Sequence, residues 1–223
     1  MGVPALIVAA GSGQRLGTGQ PKALAPLEDR PLYVWSVEAF LHSNAVDRVL
    51  VAVPPGHAGY FSAPGIEIVE GGDSRSESVA NGLASLGEDA GSELIVVHDA
   101  ARPLVTPQLI DAAVEALESA PDLDAVVAAA PVTDTIKRVG DQGRVAGTLD
   151  RSELVSVQTP QVFRIDVLRQ AIAAGDLARA TDDASLVEAA GGTVGVIDSH
   201  SSNIKVTVPG DLELAAYFLR RHR

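Results

Sequence analysis

Short apolar runs alternate with helix-like segments along most of the chain, and this alternation constrains the fold more than any other feature. Strands separated by helices are typical of repeated β-α units, in which successive strands lie parallel and helices cover both faces of the sheet. We therefore predict an α/β fold built on a wound, mostly parallel sheet flanked by helices. The candidate strands are residues 6–9, 48–53, 66–69, 94–98, 125–129 and 193–197.

Several helices begin at recognisable start signals. Pro31 opens one helix, residues 74–77 form a capping box, and Thr106 caps a helix whose first turn holds Pro107. The segment Thr181-Asp182-Asp183-Ala184 is typical of a helix N-cap with acidic residues in the first turn. The remaining predicted elements are helices at 165–174, 182–190 and 209–221 and a short strand at 204–206.

The segment 131–161 interrupts this alternation. An Asp141-Gln142-Gly143 turn signal separates two short β-type runs at 136–139 and 144–146, which predicts a β-hairpin arm. Such an arm has little core of its own, so it is either a flap over the functional site or a grip on a second subunit. The whole chain, 1–223, is then a single Rossmann-like domain with the arm as an insertion.

The composition excludes several functional classes. The 223 residues have a hydrophobic fraction of 46% and a net charge of −12, which suits a packed domain but offers no broad cationic face for nucleic acid. The chain has no cysteine, and its histidines show no metal-ligand spacing, so a zinc site is not expected. No apolar run approaches membrane-spanning length, and no targeting signal precedes the first strand. We therefore expect a cytoplasmic protein that does not bind membranes.

A glycine-rich turn with two nearby cations follows the first predicted strand. Gly11 and Gly13 leave backbone N–H groups free to face an anion, and Arg15 and Lys22 add positive charge within an acidic chain. Such a turn binds phosphates, and a nucleoside triphosphate is the natural ligand. A dinucleotide-binding fingerprint is excluded because Leu16 replaces its third glycine, and the P-loop and protein-kinase motifs are also missing.

Polar residues also follow two further predicted strands, in the segments Gly71-Gly72-Asp73-Ser74-Arg75 and His98-Asp99-Ala100-Ala101-Arg102-Pro103. Because ligands of a wound sheet bind beyond the carboxyl ends of its strands, these segments and the glycine turn indicate one site. Asp99 could bridge Mg²⁺ to phosphates, or it could accept backbone N–H groups or pair with Arg102 as a structural residue. We interpret His98 as a packed, hydrogen-bonded residue at a strand end.

One lysine stands in the apolar segment Ser202-Asn203-Ile204-Lys205-Val206-Thr207. A buried ammonium is costly unless an anion meets it, which makes Lys205 a candidate phosphate ligand. The alternative is a lysine on an edge strand that faces water. Hydroxyls and cations that suit a second, phosphorylated substrate stand at 133–138, 150–151 and 158–161.

Together these motifs resemble the 2-C-methyl-D-erythritol 4-phosphate cytidylyltransferase family. The glycine turn alone is typical of the wider sugar-nucleotide transferase class. The segments 98–103 and 203–207 narrow the resemblance to this family and a close relative that acts on ribitol 5-phosphate. The segments that carry it are 9–16, 21–22, 71–75, 97–103, 134–137, 159–161, 181–184 and 203–207.

The resemblance implies a Mg²⁺-dependent transfer of CMP from CTP to methylerythritol phosphate, with release of pyrophosphate, in non-mevalonate isoprenoid synthesis. It implies that Arg15, Lys22 and Lys205 are catalytic, and that Asp99 lies near the ribose, metal and acceptor. It also implies a homodimer, because the family's arm, here 131–161, reaches into the partner subunit. The implied nucleotide-binding residues are Ala9, Ala10, Gly11, Gly13, Gly72, Asp73, Ser78 and Asp99. The implied acceptor-binding residues are Arg102, Thr135, Arg151, Thr159 and Lys205.

The sequence leaves two alternatives open. A ribitol 5-phosphate cytidylyltransferase shares nearly every motif and differs in acceptor contacts that one sequence does not rank. A non-catalytic nucleotide-binding regulator of the same fold predicts missing cations, whereas Arg15, Lys22 and Lys205 are all present.

Overall fold

A seven-stranded sheet forms the centre of the protein and carries helices on both faces. The computed structural model describes residues 2–11, 13, 19–87, 91–177 and 180–222, without the side chain of residue 222. The described strands are β1 Val3–Val8, β2 Pro26–Leu27, β3 Arg30–Pro31, β4 Val46–Val53, β5 Ile66–Glu70, β6 Leu94–Asp99, β7 Ala125–Pro131, β8 Lys137–Val139, β9 Val145–Thr148, β10 Val155–Arg164 and β11 Val194–Asp198. The described α-helices are α1 Leu32–Leu41, α2 Arg75–Ser85, α3 Pro107–Glu118, α4 Ile165–Ala174, α5 Asp183–Ala189 and α6 Pro209–His222.

The strand order in the central sheet is β11-β7-β10-β6-β1-β4-β5. The pairs of β1 with β4 and β6, β4 with β5, and β7 with β11 are parallel, whereas β10 runs antiparallel between β6 and β7. The predicted α/β class and the mostly parallel sheet are therefore confirmed. None of the described helices combines the length and the apolarity that crossing a bilayer requires.

The core lies on both faces of the sheet, as apolar strands that are buried on two sides require. Along β1, Ala5 and Ile7 pack in the cluster that includes residues of α1 and α3, and Leu6 packs in the opposite cluster with residues of α2, α4 and α5. This alternation follows from the two-residue period of a strand. A third cluster places Val206 beside Leu32 and Ala215, which attaches α6 to the sheet domain.

The predicted helix starts are confirmed. Ser74 and Glu77 form the capping box of α2: the Ser74 hydroxyl accepts from Glu77 N at 3.1 Å, and the Glu77 carboxylate accepts from Ser74 N at 2.9 Å. Thr106 caps α3 in front of Pro107, and Asp182 caps α5 with a box closed by Ser185. The caps satisfy the free N–H groups of each first turn and fix where the loops at the sheet edge end.

The predicted hairpin forms, but the boundaries predicted for the arm are wrong at both ends. Among the described strands, β8 and β9 pair only with each other, yet residue 131 belongs to β7, and Val155–Arg164 is a ten-residue strand of the central sheet. The segment outside this sheet is therefore 132–154. The error has a physical cause: β10 carries Gln158, Thr159 and Gln161, which are buried but polar, so its sequence resembles that of an exposed arm.

The predicted strand at 204–206 does not form. Within the described residues, one backbone–backbone hydrogen bond joins this segment to the sheet domain, from Val206 N to the Ala101 carbonyl oxygen at 2.8 Å. Val206 is apolar because it is buried beneath α6, rather than because it pairs in a sheet. Lys205 therefore lies on a loop.

Candidate active site

A cleft of about 370 Å³ opens at the carboxyl ends of β1, β5 and β6, where a wound sheet binds its ligands. Many of the residues predicted from the sequence converge there, although they come from distant parts of the chain. Those that line the cleft are Ala9, Ala10, Gly11, Lys22, Gly72, Asp73, Ser78, Asp99 and Lys205. Arg15 lies outside the described residues.

Two of the three lysines in the chain, Lys22 and Lys205, line this cleft. Lys22 N donates to the Gly11 carbonyl oxygen at 3.1 Å, and Lys22 Nζ donates to the Val206 carbonyl oxygen at 3.1 Å. The first bond closes the glycine turn, and the second joins it to the loop of Lys205. Two positive charges are thereby placed in one concave site of an acidic protein.

Gly13 does not line the cleft but shapes the turn. Its φ is +69°, and a Cβ on it would lie 2.7 Å from the Gln20 carbonyl oxygen and 2.9 Å from Lys22 N. Both the backbone conformation and the close approach therefore require glycine. Gly13 thus acts here by allowing the segment that carries Lys22 to pack closely.

The loop after β5 forms another wall of the cleft, and Ser78 holds it. The buried Ser78 hydroxyl accepts from Gly72 N at 3.0 Å and donates to the Ser74 carbonyl oxygen at 2.9 Å. A Cβ on Gly71 would lie 2.7 Å from Ser78 Oγ and 2.8 Å from Ala10 Cβ. Two walls of the cleft therefore meet at Gly71 with no room for a side chain.

Asp99 joins two cations at the end of β6. Arg75 Nε donates to Asp99 Oδ1 at 2.9 Å, and Lys205 Nζ donates to Asp99 Oδ2 at 2.6 Å. Burial acts to raise the pKa of Asp99, but the charges of Arg75 and Lys205 hold that pKa far below its ordinary value. Asp99 is therefore ionised, and the predicted alternative of a pair with Arg102 is wrong. Lys205, whose side chain is 40% exposed, is neither a buried strand lysine nor one that only faces water.

Arg75 is shared between two carboxylates. Besides Asp99, it donates through Nη1 to Oδ2 of Asp183, a carboxylate with no exposed surface. Burial acts to lower the pKa of Arg75, and the two carboxylates more than reverse this and raise it. Burial likewise raises the pKa of Asp183, against the opposing charge of Arg75. Asp183, Arg75, Asp99 and Lys205 form one row of alternating charges.

His98 is a structural residue, as predicted. Its Nε2 lies 3.2 Å from the Arg102 carbonyl oxygen, which can only accept, so Nε2 carries the proton. Its Nδ1 therefore accepts from the Thr159 hydroxyl at 2.8 Å, and Thr159 Oγ1 accepts from Asp99 N at 3.1 Å. Burial lowers the pKa of His98 to about 3, which keeps the ring neutral. This chain of hydrogen bonds fixes the backbone of Asp99.

A second cleft, of about 420 Å³, adjoins the first. Arg75, Asp99 and Lys205 line both clefts, so the row of charges stands at their junction. Of the predicted acceptor-binding residues, Arg102 and Thr159 also line the second cleft. Arg102 Nη1 donates to the Asn203 carbonyl oxygen at 2.8 Å, which attaches this side chain to the loop of Lys205.

Comparison with known proteins identifies the family. Residues 3–221 match the family model described as IspD: 2-C-methyl-D-erythritol 4-phosphate cytidylyltransferase. The chain belongs to the IspD family.

Individual IspD proteins are similar to this chain over most of their length. The 2-C-methyl-D-erythritol 4-phosphate cytidylyltransferase of Rhodococcus jostii is 46% identical over 216 residues, which cover 96% of this chain and 93% of that protein. The one from Frankia casuarinae is 43% identical over 223 residues, covering 98% and 82%. The crystal structure of the Thermus thermophilus enzyme superposes with a TM-score of 0.76 at 34% identity, covering 99% and 100%.

Two of the acceptor-binding residues that the resemblance implied do not reach the IspD clefts within one chain. Thr135 and Arg151 are exposed on the arm and line neither cleft. Arg151 Nη1 donates to the Thr133 carbonyl oxygen at 2.7 Å, so this guanidinium is bound to the arm's own backbone, close to where the arm leaves β7. Any contact of these two residues with an acceptor requires a second subunit or a movement of the arm.

Sequence reasoning missed four residues that build the IspD site: Arg75, Gln161, Asp183 and Asn203. Gln161 Nε2 donates to Asp182 Oδ2 at 2.9 Å, and Asn203 Nδ2 donates to the Thr159 carbonyl oxygen at 2.9 Å. Arg75 and Asp183 stand in motifs that the sequence singled out, but their contact spans 108 positions and leaves no local signal. Gln161 and Asn203 are polar residues whose burial becomes visible only in the assembled structure, where buried polar groups need partners.

The described residues contain no group of three or more His, Cys, Asp or Glu side chains that could hold a metal ion. Asp99 is the one metal ligand that the sequence analysis predicts. In the structure its neighbours are two cations, Arg75 and Lys205, and not further carboxylates. A protein cage of the kind that binds zinc or calcium is not formed by this part of the chain.

Proposed function

We propose that this chain transfers CMP from CTP to the phosphate of 2-C-methyl-D-erythritol 4-phosphate and releases pyrophosphate. Membership of the IspD family supports the reaction class and both substrates. The observation that carries the proposal is the convergence of Lys22 and Lys205 on one cleft that Gly11 also lines, because two cations in one concave site suit a triphosphate.

In the proposed reaction a phosphate oxygen of the acceptor attacks the α-phosphorus of CTP. A P–O bond forms to the acceptor, the bond from the α-phosphorus to the bridging oxygen breaks, and pyrophosphate leaves with that electron pair. Such transfers depend mainly on alignment and on positive charge where negative charge develops. We assign the positive charge to Lys22, Lys205 and Arg15.

The two clefts divide the substrates in this proposal. The first cleft, with Ala9, Ala10, Gly72, Asp73 and Ser78 in its wall, takes CTP. The second cleft, with Arg102 and Thr159, takes the acceptor, and Lys205 at the junction contacts both. The attacking phosphate and the α-phosphate would therefore meet beside Lys205, where its ammonium can contact both.

Mg²⁺ is part of the proposal. Proteins usually hold this ion with one or two carboxylates, waters and substrate phosphates. Asp99 is an ionised carboxylate that lines both clefts, and it would hold the ion after Lys205 Nζ has turned from it to a phosphate. The ion would supply positive charge to the phosphates of CTP as charge develops in the transition state.

We also propose that the enzyme is a cytoplasmic homodimer formed through the arm. The hairpin exposes the apolar side chains of Val139 and Val145, at 60% and 62%, which favours a second copy as their cover. A partner would also give Thr135 and Arg151 a cleft to enter. Sedimentation equilibrium at micromolar concentration measures the molar mass in solution. A mass twice that of the chain supports this arrangement, and the mass of a single chain contradicts it.

The test of the reaction uses the purified chain with CTP, Mg²⁺ and one acceptor at a time. We expect pyrophosphate release and a cytidine diphosphate product with methylerythritol phosphate, and no release after chelation of the metal. Turnover of ribitol 5-phosphate alone would establish the other acceptor. CTP binding without turnover of either acceptor would establish a regulator.

Single substitutions test the roles of the two lysines. Lys22→Ala and Lys205→Ala should each lower kcat by about two to three orders of magnitude, the usual loss when one donor to a developing charge is removed. Arg48→Ala is the matched control, because Arg48 pairs with Glu67 on the neighbouring strand and lines neither cleft. A Lys22→Ala enzyme with the turnover of the control would contradict the assignment.

A further inference from the structure

Asp183 is a buried carboxylate that has no role in the proposed reaction and does not cap its helix. It has no exposed surface, and it lines neither cleft. The N-cap of α5 is made by Asp182 and Ser185, so the helix start does not depend on the Asp183 carboxylate. A buried charge is costly unless it is well paired. Its presence in the interior therefore needs an explanation.

The only ionic partner of Asp183 within the described residues is Arg75, which contacts its Oδ2. Its other oxygen, Oδ1, is buried without a hydrogen-bond partner in this part of the chain. The guanidinium of Arg75 is thus the charged group that the Asp183 carboxylate holds in the interior.

The way Arg75 is held differs from the usual pairing of arginine with a carboxylate. A guanidinium commonly donates two parallel hydrogen bonds to both oxygens of one carboxylate. Here Arg75 Nε donates to Asp99 Oδ1, and Arg75 Nη1 donates to Asp183 Oδ2. This division leaves Asp99 Oδ2 for Lys205 Nζ.

We propose that Asp183 is a positioning residue: by holding one edge of Arg75, it reserves Asp99 Oδ2 for Lys205 and so fixes the lysine ammonium at the junction of the clefts. The division of Arg75 also leaves Asp99 with a counterion when Lys205 turns to a phosphate. Without Asp183, Arg75 can take both oxygens of Asp99 and release Lys205. This inference rests on the proposed function of Lys205.

The experiment measures kcat and KM for CTP in four enzymes: wild type, Asp183→Asn, Lys205→Ala and the double variant. A misplaced catalytic group of this kind costs up to about 100-fold in rate, so we expect Asp183→Asn to lower kcat about 10- to 100-fold. KM for CTP should change less than threefold, because the walls around the base are untouched. In the Lys205→Ala background the same substitution should lower kcat less than twofold, because its effect passes through the lysine.

Asp166→Asn is the matched control, because Asp166 is an exposed acid in the first turn of α4 and lies outside both clefts. If Asp183→Asn does not fold, Arg75→Lys replaces it in the cycle, since a lysine retains the charge but lacks the planar fork. The same loss of kcat and the same non-additivity are expected. Normal kcat in the Asp183→Asn enzyme, or an equal fold-loss in both backgrounds, overturns the positioning role. An inactive wild type overturns the proposed function instead.

Discussion

A single methyl group added at Gly82 tests how closely α2 packs on β1, the strand that leads into the first cleft. Gly82 lies in the middle of α2 and faces Leu6 of β1, a side chain with no exposed surface. A Cβ at position 82 would lie 2.4 and 2.6 Å from the two Leu6 methyl carbons and 3.0 Å from Leu6 Cγ. Carbon atoms in contact prefer about 3.5–4.0 Å, so the leucine or the helix must move by about 1 Å.

Two opposing terms set the size of the effect. Alanine is favoured over glycine in a helix interior by about 1 kcal/mol, and overpacking of a core costs about 1–3 kcal/mol. The overlap involves three atoms of a fully buried side chain, so the cost belongs at the upper end of that range. We expect Gly82→Ala to lower the free energy of unfolding by about 2 kcal/mol net, and Tm by about 4–8 °C for a chain of this size.

The matched control is Gly210→Ala in the first turn of α6. A Cβ at Gly210 would meet no atom within 4 Å, and its φ lies outside the left-handed region. This variant should match the wild type or gain up to about 1 kcal/mol. Urea unfolding followed by circular dichroism at 222 nm measures both variants. Equal midpoints for Gly82→Ala and Gly210→Ala, or a Gly82→Ala midpoint above that of the wild type, would refute the packing argument.

Two further predictions concern the wall of the first cleft and the loss of folding stability at acid pH. Gly71→Ala should lower kcat/KM for CTP at least about tenfold, because its Cβ would displace Ala10 or Ser78, and steady-state kinetics with unchanged values would contradict this. Burial acts to raise the pKa of Asp111, but hydrogen bonds from residues 43–45 outweigh it and hold the pKa below its ordinary value. A lowered folded-state pKa adds stability above the unfolded-state value, near 3.9, and that stability is lost as pH falls through the folded-state pKa. Asp111→Asn should therefore unfold about 1 kcal/mol more easily at pH 7, with a difference from wild type that shrinks below about pH 4, and a pH-independent difference would argue against this origin.

Local patterns were sufficient to predict most of the fold. The alternation of strands and helices and the start signals at Ser74 and Thr106 depend on neighbouring residues, so the sequence displays them directly. The strand β10 was missed because Thr159 and Gln161 are polar for reasons that lie elsewhere in the chain. Thr159 bonds to His98, and Gln161 bonds to Asp182, so the cause of their polarity becomes visible only when the sheet is assembled.

The candidate site divides in the same way. Lys22, Asp99 and Lys205 could be assigned because the carboxyl ends of parallel strands meet at one edge and because a lone lysine in an apolar segment needs an anion. Arg75 and Asp183 could not be paired in advance. Each stands in the first turn of its own helix, far from the other along the chain, and only the tertiary structure brings the two together in the interior.

The wrong prediction of a strand at 204–206 bears on how Lys205 can work. A strand residue is held on both sides by ladder hydrogen bonds, whereas the segment of Lys205 is held by Val206 N on Ala101 and by Lys22 Nζ on the Val206 carbonyl oxygen. The ammonium itself is held by Asp99, which keeps Arg75 as a second counterion. In the proposed reaction the lysine can exchange Asp99 for a phosphate by side-chain rotation, because Asp99 then still has Arg75 as a counterion. Lys22 bonds to the same loop, so a ligand that draws Lys22 toward its phosphates also acts on the segment that carries Lys205.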